Sequence, residues 1–261
     1  MSLVNRKILV IVEGARKELK LINRLKELFL PQEITITSYG TSLYQLYDKL
    51  EEYCEFNFED LDVLLALKSH ENDEKKKAIF DEKYTDVLLI FDFDPQDNGF
   101  DVAKITKLMN YFNDSTENGK LYINYPMVES FYHLKKVKEI QVDESFVNSK
   151  FNLKELQDHL YKSRAVSEGT DLDIARMPKD MVENIMCQQA CKANYVLEEI
   201  YEVLDDYSQE KMLMILDKQN NLLIETGEAY VLNTCSFFVL EFYPSNVDFL
   251  NNITNNQGDL L

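Results

Sequence analysis

Val87 to Phe91 is an unbroken apolar run, VLLIF, that leads straight into Asp92, Phe93 and Asp94. Five apolar residues are too few for a free-standing helix, but they suit a strand buried on both faces of a parallel sheet. Residues two apart in a strand point the same way, so Asp92 and Asp94 are expected to present two carboxylates from one face at its carboxyl end. Two unpaired acids at the edge of a core repel each other and are costly to desolvate. A divalent cation removes that cost, and the carboxyl edge of an open α/β sheet is where ligands bind.

The segments around this strand predict a sheet of the same kind. Lys7 to Val12, KILVIV, is a second buried-strand pattern and ends at Glu13-Gly14. Ala15, Leu19, Ile22, Leu25 and Phe29 follow at helical spacing, with Arg16, Lys20 and Arg24 on the opposite face, Lys17 beside them, and Pro31 as the stop. Glu33 to Tyr39 alternates like a strand, and Ser42 to Tyr53 reads as a helix with Leu43, Leu46, Tyr47 and Leu50 inward. Phe56 to Lys83 is charge-rich and reads as an exposed helical excursion or loop. Val102 to Phe112 fits an amphipathic helix, and Lys120 to Tyr125 a fourth strand, followed by Pro126, Glu129 and His133. Strand and helix alternate throughout, which predicts an α/β fold with a parallel sheet flanked by helices.

From about Ile140 the texture changes. Phe151–Tyr161, Lys179–Tyr207 and Gln209–Leu216 carry helical periodicity, and Val231–Tyr243 suits either a last helix or a strand. The reading is therefore an α/β domain over residues 1–139 and a mostly helical region over 140–261, packed on the first as one unit or standing apart from it.

Net charge is −18, from 46 acids against 28 bases, which counts against wrapping nucleic acid nonspecifically but leaves room for a local basic patch or a bridging metal. Four cysteines in 261 residues make no disulfide framework. No segment approaches the roughly 18 apolar residues of a membrane span, and a cytoplasmic protein without membrane partners is expected.

Glu13, Asp92, Asp94 and Glu129 all stand at or just beyond the carboxyl ends of predicted strands, which share one edge in a parallel sheet. Hard oxygen ligands of this kind select Mg²⁺ or Mn²⁺ over zinc. Such ions polarise a phosphodiester, activate water and stabilise the leaving oxygen. Taken singly, such acids also serve as helix caps or solvated loop residues. DFDPQDNG is not an EF-hand, because its third acid is off register and a strand precedes it. Glu13-Gly14 lacks the GK[ST] step of a P-loop, and no dinucleotide fingerprint exists. Arg16 and Lys20 lie just past Glu13 near a helix N-terminus, where they could hold a phosphate. His133 could orient Glu129 or fill a structural place. Lys104 and Lys107 flank the same edge. Cys187 and Cys191, one helical turn apart, read as helix packing.

A strand ending in VEG and a strand ending in DFD, on a small parallel sheet, resemble the TOPRIM domain of topoisomerases, primases and OLD-type nucleases. The resemblance covers roughly residues 7–135. YINYPMVESFYHL is similar to the Asn-Pro-x-x-Glu segment of the RloB-like, abortive-infection branch, which implies phage defence beside an ATPase partner. By that resemblance Glu13 is the general acid/base or a metal ligand, Asp92 and Asp94 hold Mg²⁺ or Mn²⁺, and Glu129 is a further ligand. The helix after Glu13-Gly14 departs from the family by offering Arg16 and Lys17 where an acid often stands, which leaves one metal or two open. The expected activity is a metal-dependent nuclease acting on DNA or RNA. The alternatives are a non-catalytic effector subunit that binds a partner such as an ATPase and, more weakly, a phosphotransferase or phosphatase using the same DxD.

Overall fold

The computed structural model describes residues 6–30, 33–55, 57–58, 61–134, 144–169 and 173–247. Pro31 and the boundary expected near residue 140 lie outside these. In chain order, β1 (Lys7–Val12) leads to α1 (Lys17–Phe29), β2 (Glu33–Ser38) and α2 (Leu43–Tyr53). Next come α3 (Val63–Ser69), α4 (Glu74–Phe80), β3 (Asp86–Asp92), α5 (Val102–Tyr111), β4 (Asn113–Asp114) and β5 (Gly119–Tyr125). The second half holds α6 (Glu144–Val147), β6 (Lys150–Asn152), α7 (Leu153–Gln157), α8 (Tyr161–Glu168) and α9 (Lys179–Glu198). It ends with α10 (Gln209–Thr226), β7 (Glu228–Tyr230), β8 (Leu232–Asn233) and α11 (Phe237–Phe242).

The chain is α/β, with a mostly parallel central sheet flanked by helices. Its order is β2-β1-β3-β5, every neighbouring pair parallel, and β4 and β8 add antiparallel pairings along the free edge of β5. Leu88 to Phe91 are fully buried, as a strand covered on both faces requires. From β1 the chain first moves outward to β2 and later returns to β3 on the other side of β1. The carboxyl ends of β1 and β3 therefore flank a topological switch point, where the crevice of such a sheet opens. Glu13 and Asp92 stand on its two sides.

Local signals fix the ends of several elements. Ser42 caps α2 through a capping box with Gln45, and Asp101 caps α5 by accepting from the Ala103 N–H. The stretch expected as an exposed excursion forms α3 and α4. Val63, Ala66, Leu67 and Phe80 bury a face of this pair, since apolar spacing of three and four survives inside the charge run. Val231–Tyr243 divides into β8 and α11. β8 pairs with Asn124 and Tyr125, so the second half contributes a strand to the first half's sheet. α10 packs on both α9 and α5. Among the described residues no helix is long and apolar enough to cross a membrane.

An ion pair between a buried lysine and a half-buried glutamate ties the two halves together. Lys120 on β5 donates to both carboxylate oxygens of Glu241 in α11, at 2.7 and 2.6 Å, and to the Tyr207 carbonyl at 2.8 Å. Removing one partner strands the other, so Lys120→Met should lower stability by about 3 kcal/mol. Urea unfolding checks this, and a loss below about 1 kcal/mol would assign the pair no structural weight.

Candidate functional site

Glu13 continues β1 past its last strand residue. Its N–H bonds the Ile90 carbonyl at 3.2 Å and its own carbonyl accepts from Gly40 at 2.9 Å, so the backbone is locked between β3 and the end of β2. Its carboxylate turns toward β3 and accepts from the Asp92 N–H at 3.2 Å. Asp92, the last residue of β3, is buried and accepts from the Asn124 side-chain amide on β5 at 3.1 Å. The strand stops there. Asp94 has φ +34°, in the left-handed region, and its N–H bonds the Pro126 carbonyl at 3.0 Å. Strand alternation therefore does not carry through to Asp94, whose side chain lines the neighbouring cleft with Gln96 and Asp97.

The electrostatics of this edge are unfavourable for charge. Burial, with the charges of Asp94, Glu18 and Asp97 close by, pushes Glu13 up to about 8 against the restraint of the Asp92 N–H. Burial, then Glu13 and Glu18, hold Asp92 well above the usual carboxylate range. Asp94 is raised by burial and by Asp97, while the Gln96 hydrogen bond and the charges of Lys162 and His159 pull it back. Glu18 is raised by burial and by Glu129.

Glu18 is the residue that sequence reasoning missed. The helix after Glu13-Gly14 was expected to lack an acid, yet Glu18 sits in the first turn of α1 with its carboxyl over Gly14. A Cβ on Gly14 would fall 2.5 Å from that carboxylate, so only glycine lets Glu18 lie there. The available signal was Glu18 itself, five residues after Glu13 within KELK and surrounded by basic neighbours.

Glu129 sits on a 3₁₀ turn, Val128–Phe131, after the cis Tyr125–Pro126 bond. It is buried and accepts from Lys17 at 2.7 Å, and Lys17 also reaches the Tyr132 hydroxyl at 3.1 Å. Its charge is felt by Asp92 and Glu18. His133 does not reach Glu129. Its ring nitrogens meet Tyr161 and Glu168, each at 3.1 Å, which is a structural place.

The basic face of α1 is only partly open. Arg24 donates twice to the Met177 carbonyl, at 2.9 and 2.6 Å, and Lys20 pairs with Asp173 at 3.7 Å. Arg16 is exposed at the helix start. With Lys17 these residues line a groove of about 560 Å³ beside Glu13-Gly14. Lys104 and Lys107 bind Asp48 and Glu51, away from the acids. Cys187 and Cys191 are buried in α9.

Among the described residues, no three His, Cys, Asp or Glu side chains form a group placed to hold a metal ion. Each acid is turned to a local partner: Glu13 to a backbone N–H, Asp92 to Asn124 and Glu129 to Lys17. The donor chemistry nevertheless fits a hard divalent cation. Four raised carboxyl groups crowd one edge, and Oδ1 of Asp94 and Oδ1 of Asn124 are buried without a hydrogen-bond partner. The chain matches no family model, no curated protein and no solved structure. What this edge can do must come from its chemistry.

Proposed function

We propose that this protein is a Mg²⁺- or Mn²⁺-dependent nuclease that hydrolyses phosphodiester bonds in DNA or RNA, of the TOPRIM type that its VEG and DFD segments resemble, acting in phage defence. The observation that carries the reading is the crowding of Glu13, Glu18, Asp92 and Asp94 at the switch point of a parallel sheet, where their charges repel in the absence of a cation.

Asp92, Asp94 and Glu18 would hold the cation, with Glu129 as a further ligand if Lys17 releases it. The ion would supply Lewis-acid stabilisation of charge on the phosphoryl and leaving oxygens. Glu13, raised to about 8, is suited to take the proton of the attacking water. As the water oxygen bonds to phosphorus, the bond to the leaving oxygen breaks and the water proton passes to Glu13. Arg16 and Lys20 would hold a neighbouring phosphate in the groove beside α1.

The experiment is cleavage of labelled DNA and RNA with Mg²⁺ or Mn²⁺, comparing wild type with Asp92→Asn and Glu13→Gln. Cleavage unchanged in both variants would refute the reading. A subtler test uses Gly14→Ala, which displaces the Glu18 carboxyl. Mn²⁺ affinity by calorimetry should fall about tenfold, and an unchanged affinity would remove Glu18 from the ligand set.

A second reading has its own observation. Lys17, Lys20 and Arg24 are all engaged by protein oxygens, and net charge is −18, which suits a non-catalytic effector docking on a partner such as an ATPase. Co-purification with that partner, together with no metal uptake at millimolar Mg²⁺, would favour it.

A further inference from the structure

Lys17 belongs to two places at once. It lines the groove of about 560 Å³ along α1 together with Arg16, Lys20 and Asn23. Its ammonium also donates to Oε1 of Glu129 at 2.7 Å and to the Tyr132 hydroxyl at 3.1 Å. The two ends of this ion pair differ in their setting. The Lys17 side chain is 45% exposed, that of Glu129 only 3%. A buried carboxylate needs a cation against it, because one left alone is strongly destabilising. Lys17 has no such need, since its ammonium sits on a flexible four-carbon stem and is readily hydrated. The contact holds Glu129 on Lys17 while the charge of Glu129 reaches Asp92 and Glu18. With Glu129 so held, no three His, Cys, Asp or Glu side chains among the described residues are grouped to hold a metal ion.

We infer that Lys17 is an exchange residue: it gives up Glu129 to a divalent cation and turns to a substrate phosphate in the groove, so that cation and phosphate each tighten the binding of the other. The inference rests on the cation site proposed above. Neither half of the exchange is favourable alone. If Lys17 left for a phosphate without a cation, Glu129 would be a buried charge with no partner. If a cation reached Glu129 while Lys17 stayed, two positive groups would crowd one carboxylate. When both occur, every charge keeps a partner of opposite sign. Glu129 passes from an ammonium to the cation, and Lys17 passes from a carboxylate to a phosphate, which lysine binds as a point charge. Coupling of this kind is reciprocal, and its usual size is about 5- to 150-fold. Lys17 is then a positioning residue for Glu129, and the ligand set is completed only when substrate lies in the groove.

The test reads cation affinity, not cleavage. Mn²⁺ is titrated into the full chain by calorimetry in chloride and in sulfate at equal ionic strength, with sulfate standing for the phosphate. Wild type should bind Mn²⁺ about tenfold more tightly in sulfate. Any pairing of sulfate with Mn²⁺ in solution works against that gain. Lys17→Met should bind Mn²⁺ about tenfold more tightly than wild type in chloride, with no gain from sulfate. Glu129→Gln should show no gain from sulfate either. The double variant separates exchange from bare charge. Removing Lys17 in the Glu129→Gln background should change Mn²⁺ affinity by less than about twofold. A tightening there as large as in the native background would mean that Lys17 acts only by repulsion through space, which overturns the inference. Should Lys17→Met melt too early to titrate, the wild type decides. Saturable Mn²⁺ binding indifferent to sulfate leaves the cation site standing and overturns the exchange. No Mn²⁺ uptake in either salt refutes the cation site and the exchange with it.

Discussion

At pH 8 without divalent cations, the Asp92→Asn variant should melt about 5 °C above the wild-type protein. The amide keeps the oxygen that accepts from Asn124 and removes a buried carboxyl whose ionisation is opposed by burial and by Glu13 and Glu18. Its sign follows from proton linkage. A carboxyl whose pKa is raised by folding holds its proton in the folded state after the unfolded chain has lost it, so stability falls as pH rises through that window. For Glu13 the window runs from the usual 4.5 to about 8. Fully expressed, a shift of that size is on the order of 5 kcal/mol, and Asp92, Asp94 and Glu18 act in the same direction. The wild-type melting temperature should therefore drop between pH 5 and pH 8, and Mg²⁺ should restore it at pH 8 far more than at pH 5. Asp92→Asn should flatten the slope and lose most of the response to Mg²⁺. Scanning fluorimetry at several pH values measures all of this. A variant that melts below wild type at pH 8, or a flat wild-type profile, would show that the acids are not in electrostatic conflict.

Glu13→Gln should cut metal-dependent cleavage about 1,000-fold with little change in substrate affinity. The amide still accepts from the Asp92 N–H, so the backbone of the switch point is preserved while the proton acceptor is lost. The wild-type rate should climb with pH as Glu13 gives up its proton. With a cation beside it, the apparent midpoint should lie below about 8, because a positive charge favours the carboxylate. The residual rate of the variant should not climb. Arg16→Ala, by contrast, should raise KM several-fold and leave kcat nearly intact, since Arg16 would contact a phosphate away from the reacting one. Single-turnover rates from pH 5.5 to 9 separate these cases. A Glu13→Gln variant within tenfold of wild type, or one with an unchanged pH profile, would remove Glu13 from proton transfer.

The parts of this protein written in contiguous residues were legible in its sequence. Apolar runs marked β1 and β3, and the alternation of strands with helices pointed to a parallel sheet. The carboxyl-edge positions of Glu13 and Asp92 followed from local rules. What escaped depends on tertiary approach. Glu18 enters the acid cluster because Gly14 has no Cβ, and KELK alone says nothing of that. Asp94 leaves the strand pattern through one positive φ angle. Lys17 and Glu129 are 112 positions apart, so their pairing has no signature in sequence spacing. α9 buries Gln188, Gln189 and Lys192 as well as its apolar residues, so no single face of it reads as core. β8 is two residues long, below any periodicity.

The central claim is that the crowded acids at the carboxyl edge of β1 and β3 form a divalent-cation site. Calorimetric titration of Mn²⁺ and Mg²⁺ into wild type and into Asp92→Asn/Asp94→Asn at pH 8 tests it most directly. The account predicts saturable binding by the wild-type chain, accompanied by proton release from the raised carboxyls, and none by the double variant. Binding that survives in the double variant, or a wild-type chain that takes up neither ion at millimolar concentration, would contradict it.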